Sequence, residues 1–132
     1  STGDCFIYIK NTNDTDMVIS EFMLRAASDE TVSFKIGDAG TPIGGTTATP
    51  INRNAGSGNI ADVTALYGVD ITGLSGGNAV MAMFLKGGET SVRIEPKSGF
   101  VIPKNKVFTG YASTGGIAVM IGMGISFHSL GE

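Results

Sequence analysis

From Gly115 to His128 every second residue is large and apolar: Ile117, Val119, Ile121, Met123, Ile125 and Phe127. Side chains along a strand alternate between the two faces of a sheet, so this period-two run predicts one long strand. The intervening residues are Ala118, Met120, Gly122, Gly124, Ser126 and His128. They are small or soft rather than charged, unlike an ordinary solvent face. The pattern therefore predicts a central strand covered on both sides.

The same reading predicts shorter strands along the rest of the chain. Cys5 to Lys10 alternates, with Phe6, Tyr8 and Lys10 on one face and Cys5, Ile7 and Ile9 on the other. Turn formers follow at Asn11–Asp16. Met17 to Ala27 fits both periods: Ile19, Phe22, Met23 and Ala26 at helical spacing, Val18, Phe22, Leu24 and Ala26 as a strand. The β-rich surroundings favour a strand. Thr31 to Ile36 alternates with Val32, Phe34 and Ile36 inward. Gly37 to Gly58 is rich in Gly, Pro and Thr, and so long a structureless span is uncommon inside a compact domain. Short strands around Pro42-Ile43 and Ala48–Asn52 are expected there.

Ile60 to Tyr67 reads as a strand or one helical turn, continued by Val69–Ile71, and Gly73–Gly77 as a flexible turn. Asn78 to Lys86 is a second uncharged strand, and its pattern leaves open which face is the core. Gly87-Gly88 resembles a hairpin turn. Thr90–Glu95, Phe100–Pro103 and Lys106–Tyr111 complete the set, and Ala112–Gly116 leads into the last strand. About eight short strands with turn signals between them predict one all-β domain, an antiparallel sandwich or barrel.

Composition narrows the function classes. The chain has 132 residues, a net charge of −3, 16% charged residues and 20 glycines. One domain of this size needs no disulfide or metal to hold a core. No basic run supplies the footprint that nucleic acid requires. No stretch reads as a signal peptide or a membrane-spanning helix, so no membrane partner is expected. The start at Ser1 suggests a trimmed initiator Met or a cleaved precursor. Cys5 is the single cysteine, which excludes an intrachain disulfide and reads as a buried structural thiol.

Candidate catalytic motifs each meet a plainer reading. Gly73-Leu74-Ser75-Gly76-Gly77 has the G-x-S-x-G form, with His128 downstream and Glu89 or Glu95 between. That motif requires a strand-to-helix elbow, and here a strand follows. Gly56–Ala61 matches G-x-G-x-x-A without the flanking strand and long helix of a dinucleotide site. Asn11, Asn13, Asp14 and Asp16 lack the spacing of a calcium loop and read as solvated turn residues. Asn13-Asp14-Thr15 is a formal glycosylation sequon. His128, the one histidine, reads as a surface residue. No catalytic residue, metal site or cofactor is expected.

The unusual constellation is apolar. Met81, Met83, Ala118, Met120, Gly122 and Gly124 fall on strand faces left spare once the core is filled. A sheet with one wet face shows polar alternation there, and exposed apolar patches mark interfaces. These residues are the candidate subunit interface. Coverage by loops of the same chain is the alternative.

Pro50-Ile51-Asn52-Arg53-Asn54, Ile94-Glu95-Pro96-Lys97 and Ile102-Pro103-Lys104-Asn105 follow the Gly/Thr-rich segment in that order, ahead of the long apolar terminal strand. This order resembles the small jelly-roll structural proteins of tailed-phage virions, such as capsid decoration (cement) proteins and head-fibre or tail-tip domains. The resemblance implies a jelly-roll sandwich, often trimeric, that sits on a capsid and stabilises it without catalysis. Its partners would be copies of itself and the major capsid protein. The Gly37–Gly58 segment, with Thr41, Thr46, Thr47, Arg53 and Asn54, and residues Ser1–Asp4 would reach the capsid. A receptor- or carbohydrate-binding sandwich of a fibre or tail is the alternative, and a small β-sandwich enzyme the remaining one.

Overall fold

The computed structural model describes residues 3–51, 62–68, 70–88, 91–97, 99–114 and 119–128. Among them the chain forms strands and no helix. In order these are β1 (Asp4–Asn11), β2 (Asp16–Ala26), β3 (Glu30–Ile36), β4 (Ala39–Ile43), β5 (Thr46–Thr47) and β6 (Val63–Tyr67). They continue as β7 (Thr72–Ser75), β8 (Asn78–Leu85), β9 (Val92–Ile94), β10 (Phe100–Ile102), β11 (Val107–Ala112) and β12 (Val119–His128). All pairings are antiparallel.

A six-stranded sheet runs β5-β6-β1-β11-β3-β8. Facing it, β2 is the centre of a smaller sheet, with β12 along one edge and β9 and β10 sharing the other. Phe22, Phe34, Phe100 and Phe108 meet between the two sheets, with ring centroids of Phe22 and Phe34 4.8 Å apart and of Phe34 and Phe108 5.4 Å apart. A ribbon of β4 and β7 forms a third layer. It covers a second apolar cluster of Cys5, Tyr8, Ile71, Val107 and Tyr111 on the outer face of the large sheet.

Three single-residue bulges decide which side chains reach the core. In β2, Gly124 pairs with Glu21 and Ile125 with Ile19, so Ser20 is the extra residue. Its hydroxyl donates to the Gly124 carbonyl at 3.2 Å. Met17 and Ile19 before the bulge, and Phe22, Leu24 and Ala26 after it, all face inward and are buried. The shift of parity at Ser20 mixes odd and even positions, which is why the segment also fits a helical period. In β1, Cys5 pairs with Tyr111 and Ile7 with Gly110, leaving Phe6 extra. Phe6 therefore joins Ile7 and Ile9 in the main core, while Cys5 joins Tyr8 on the other side. This corrects the strict alternation expected for that strand. In β8, Val80 is the extra residue, between Met81 opposite Phe34 and Ala79 opposite Lys35.

Several expectations are corrected. Among the described residues there are twelve strands rather than about eight; the expected short strands at Pro42-Ile43 and Thr90–Glu95 fall on β4 and β9, while β7 overlaps the expected turn. The expected strand at Ala48–Asn52 is instead β5, a few residues earlier. Gly73–Gly77 is no free turn, since Thr72–Ser75 is β7 and pairs with β4. Gly87-Gly88 does not close a β8–β9 hairpin: β8 pairs with β3 and β9 with β2, in opposite sheets. The last strand is not central. Among the described residues β12 pairs only with β2, and Met120 on its second face is 64% exposed.

Candidate functional site

The outward face of the small sheet follows from the register. Met23 lies between Arg93 and Gly122, Arg25 opposite Met120, and Val18 between Val101 and Ser126. Met23 and Val101 are each 48% exposed. Nothing lies within 4 Å of where a Cβ on Gly122 would sit. The face is thus a shallow apolar floor with methionine walls. Glu21 bonds Arg93, which also lies 3.1 Å from Glu95, along one side.

Met120, Gly122 and Gly124 of the expected interface do lie on this face. Met81 and Met83 do not: they sit opposite Phe34 and Val32 and pack half-buried against the main core. The bulge at Val80 and the core side of β3 set that orientation, and the exposed apolar residues of β8 are Val80 and Phe84 instead. Ala118, Arg53 and Asn54 fall outside the described residues. Thr41 is exposed on β4, in the outer ribbon, while Thr46 and Thr47 are exposed on β5, at the edge of the large sheet. The expected partner-binding loop is therefore divided between two layers.

A cleft of about 1010 Å³ opens between β12 and the β6 side of the large sheet. Ile121, Met123, Ile125 and Phe127 form one wall, Ile9, Val63 and Ala65 the floor, and residues 48–51 the far side. It exists because the sheets differ in width. Six strands on one side face three strand widths on the other, so no described strand lies over the β6–β5 flank. The core-side residues of β12 are accordingly only half-buried. Asp62 and Asn13 lie at the end beside Phe127, with the Asn13 amide 3.5 Å from Asp62 Oδ2.

The buried polar groups serve the fold. Asp38 Oδ2 accepts from the Thr109 hydroxyl at 2.9 Å and the Tyr111 hydroxyl at 2.6 Å, and its Oδ1 accepts from the Gly77 amide at 2.7 Å. This carboxylate pins the ribbon to the sheet. Burial and then the bond to Asp38 push the Tyr111 hydroxyl well above its usual range. Cys5 is fully buried, its thiol donates to the Ile7 carbonyl, and burial pushes it up to about 12. Such a thiol is not a nucleophile near neutral pH. Asn11, also buried, donates to the Thr15 and Ile102 carbonyls and accepts from the Asn13 amide. Asp14 pairs with Lys104, which holds its carboxyl below the usual range. The turn that could have ringed a cation is thus closed by its own bonds. Among the described residues no group of three or more His, Cys, Asp or Glu could hold a metal ion.

Glu30 is a further buried polar group. Its Oε1 accepts from the Thr31 and Thr114 amides and the Ser113 hydroxyl, while Oε2 has no partner among the described residues.

The G-x-S-x-G resemblance has a structural origin. A Cβ on Gly73 would lie 2.4 Å from the Thr41 carbonyl oxygen, and one on Gly77 2.3 Å from Asp38 Oδ1. Both glycines are there for close approach, and Ser75 lies exposed in the outer ribbon. His128 is placed on β12, in the opposite layer, so no triad assembles. Gly56–Ala61 falls outside the described residues.

The sequence alone missed Met23, Val101, Phe84 and the cleft. The hydrophobicity of the first three was visible; the exposure of Met23 follows from the bulge at Ser20, and that of Val101 and Phe84 from which face of their strands turns away from the opposite sheet, which the pattern left open. Compared with protein-family models, with curated proteins and with solved structures, the chain matches none.

Proposed function

We propose that this chain is a non-enzymatic virion structural protein, a decoration protein that forms a homo-oligomer, with a trimer favoured, and stabilises a tailed-phage head from its outer surface. On this reading the sandwich is a jelly roll. The observation that carries it is the outward face of the small sheet. Met23, Val101 and Met120 are exposed around an open glycine floor, between Arg25 and the Glu21–Arg93 pair, and exposed apolar patches of this kind mark interfaces. The order of the Pro-containing segments supplies the link to virion proteins. The exposed threonines of β4 and β5 are the surface offered to the capsid. Quantitative mass spectrometry of gradient-purified virions tests the reading. The chain is expected at a copy number comparable with that of the major capsid protein, and its absence from virions would overturn the proposal.

One observation favours a second reading, a receptor- or glycan-binding module. Phe84 is 61% exposed on the outer face of the large sheet, opposite Thr31 and beside the Ala82–Ser33 pair. An aromatic ring beside hydroxyls suits the apolar face of a sugar. A glycan array on the wild type and Phe84→Ala separates the two readings: binding lost in the variant favours the module.

A further inference from the structure

We propose that a small pocket on the outer face of the large sheet, between the end of the β1–β11 pair and residues 37–40, binds a small oxyanion: the phosphate or carboxylate group of a soluble ligand. The site is independent of the assembly reading.

The pocket measures about 220 Å³, and every residue lining it is among those described. Its floor is the end of the β1–β11 pair, where Tyr8 lies opposite Thr109 and Lys10 opposite Val107. The chain leaves β3 at Gly37, whose amide donates to the Val107 carbonyl at 2.9 Å. The Gly37 φ of +96°, which glycine adopts without steric cost, turns the chain outward and into β4. Asn105, with a φ of +66°, and Lys106 stand at the rim just before β11. The volume lies below the roughly 300 Å³ at which drug-sized ligand pockets begin, which suits a small charged group.

The lining is rich in free donors. Tyr8 is only 3% exposed, and among the described residues its hydroxyl has no hydrogen-bond partner. Buried hydroxyls are normally paired within the protein, so one left free at a pocket wall is available to a ligand. Burial pushes this hydroxyl above its usual range, which keeps it a donor at neutral pH. Lys10 is half-buried on the same face of β1, and Lys106 is exposed. Among the described residues neither ammonium has an ion-pair partner. Asp38 is the acid of the lining, and its oxygens are already engaged by Thr109, Tyr111 and the Gly77 amide. Two free cations and a free hydroxyl thus face one satisfied carboxylate, in a chain whose net charge is −3. Bonds from such donors to an anion are charge-assisted and stronger than neutral ones.

The probes are inorganic phosphate and acetate, each titrated into the intact chain against sodium chloride of matched ionic strength and read by amide chemical shifts. Saturable shifts are expected at residues 8–10, 37–40 and 105–107, and whichever probe binds more tightly assigns the ligand's anionic group. Tyr8→Phe is expected to weaken binding by ~tenfold, the scale of a hydrogen bond to a charged group. Its thermal midpoint should not fall, because the hydroxyl has no partner in the fold. Lys10→Gln is expected to weaken binding by about threefold, the scale of an exposed ion pair. Arg25→Gln, which removes the same charge from the small sheet, is expected to leave binding unchanged. Absence of saturable shifts beyond those of chloride would overturn the proposal. So would binding indifferent to both Tyr8→Phe and Lys10→Gln. A Tyr8→Phe protein with a lowered midpoint and unaltered anion affinity would also overturn it, because the hydroxyl would then serve the fold.

Discussion

Asn11 shows what a buried polar side chain does in this fold. It ends β1, and its amide ties the following turn to β10 through the Thr15 and Ile102 carbonyls at 2.9 and 2.8 Å. Removing it leaves buried carbonyls without a donor, so Asn11→Ala is expected to cost about 2–3 kcal/mol in urea unfolding. Cys5 gives a pH signature. The fold holds its thiol protonated up to about 12, against an ordinary value of 9.0. A raised folded value means its contribution is fully present below pH 9 and is lost as pH rises from 9 towards 12. The slope is at most about 1.4 kcal/mol per pH unit for one group. Tyr111 acts with the same sign from its ordinary value of 10.0 upward. Stability measured from pH 7 to 11 should be flat and then fall, and Cys5→Ala should remove the earlier part of the fall. That Cys5 is buried was legible from its apolar neighbours. Asp38 was not, because a short-range pattern cannot show that Thr109 and Tyr111 come to meet it.

At the scale of elements, period-two alternation identified most long strands, and bulges hid the rest. The core strands β3, β8, β11 and β12 read directly. Ser20, Phe6 and Val80 each move a run of side chains to the other face, and a bulge leaves no mark on composition. For Met81 and Met83 the alternation held; the pattern left open which face of β8 is the core, and the pairing with Phe34 and Val32 sets it. The two faces can be told apart with glycines. Gly110 faces the main core, where an added Cβ would lie 2.8 Å from Ile7 Cγ2 and 2.9 Å from Phe6 Cζ. Gly110→Ala is therefore expected to destabilise by about 1–3 kcal/mol, the usual cost of overpacking. Gly122 faces open space, and Gly122→Ala should be neutral or stabilising by up to about 1 kcal/mol, since alanine loses less entropy on folding. Thermal unfolding of the two variants measures both.

At the scale of the molecule, two features bear on the proposed assembly: exposed methionines on the small sheet and, among the described residues, a large sheet wider than its cover. The chain's low charge hinted at hidden surface, but sheet widths are set by strand order, which the sequence pattern does not fix. The two surfaces are separable by substitution. Gly122→Lys places a charge on the outward face without touching the core. The most direct measurement of the central claim is the solution mass by light scattering on a sizing column. The account predicts a stable multiple of the 13.6 kDa chain, a trimer favoured, which falls to one chain in Gly122→Lys while the thermal midpoint of the fold is kept. A wild-type protein that stays at the mass of a single chain, at concentrations where its exposed methionine face should associate, would contradict it.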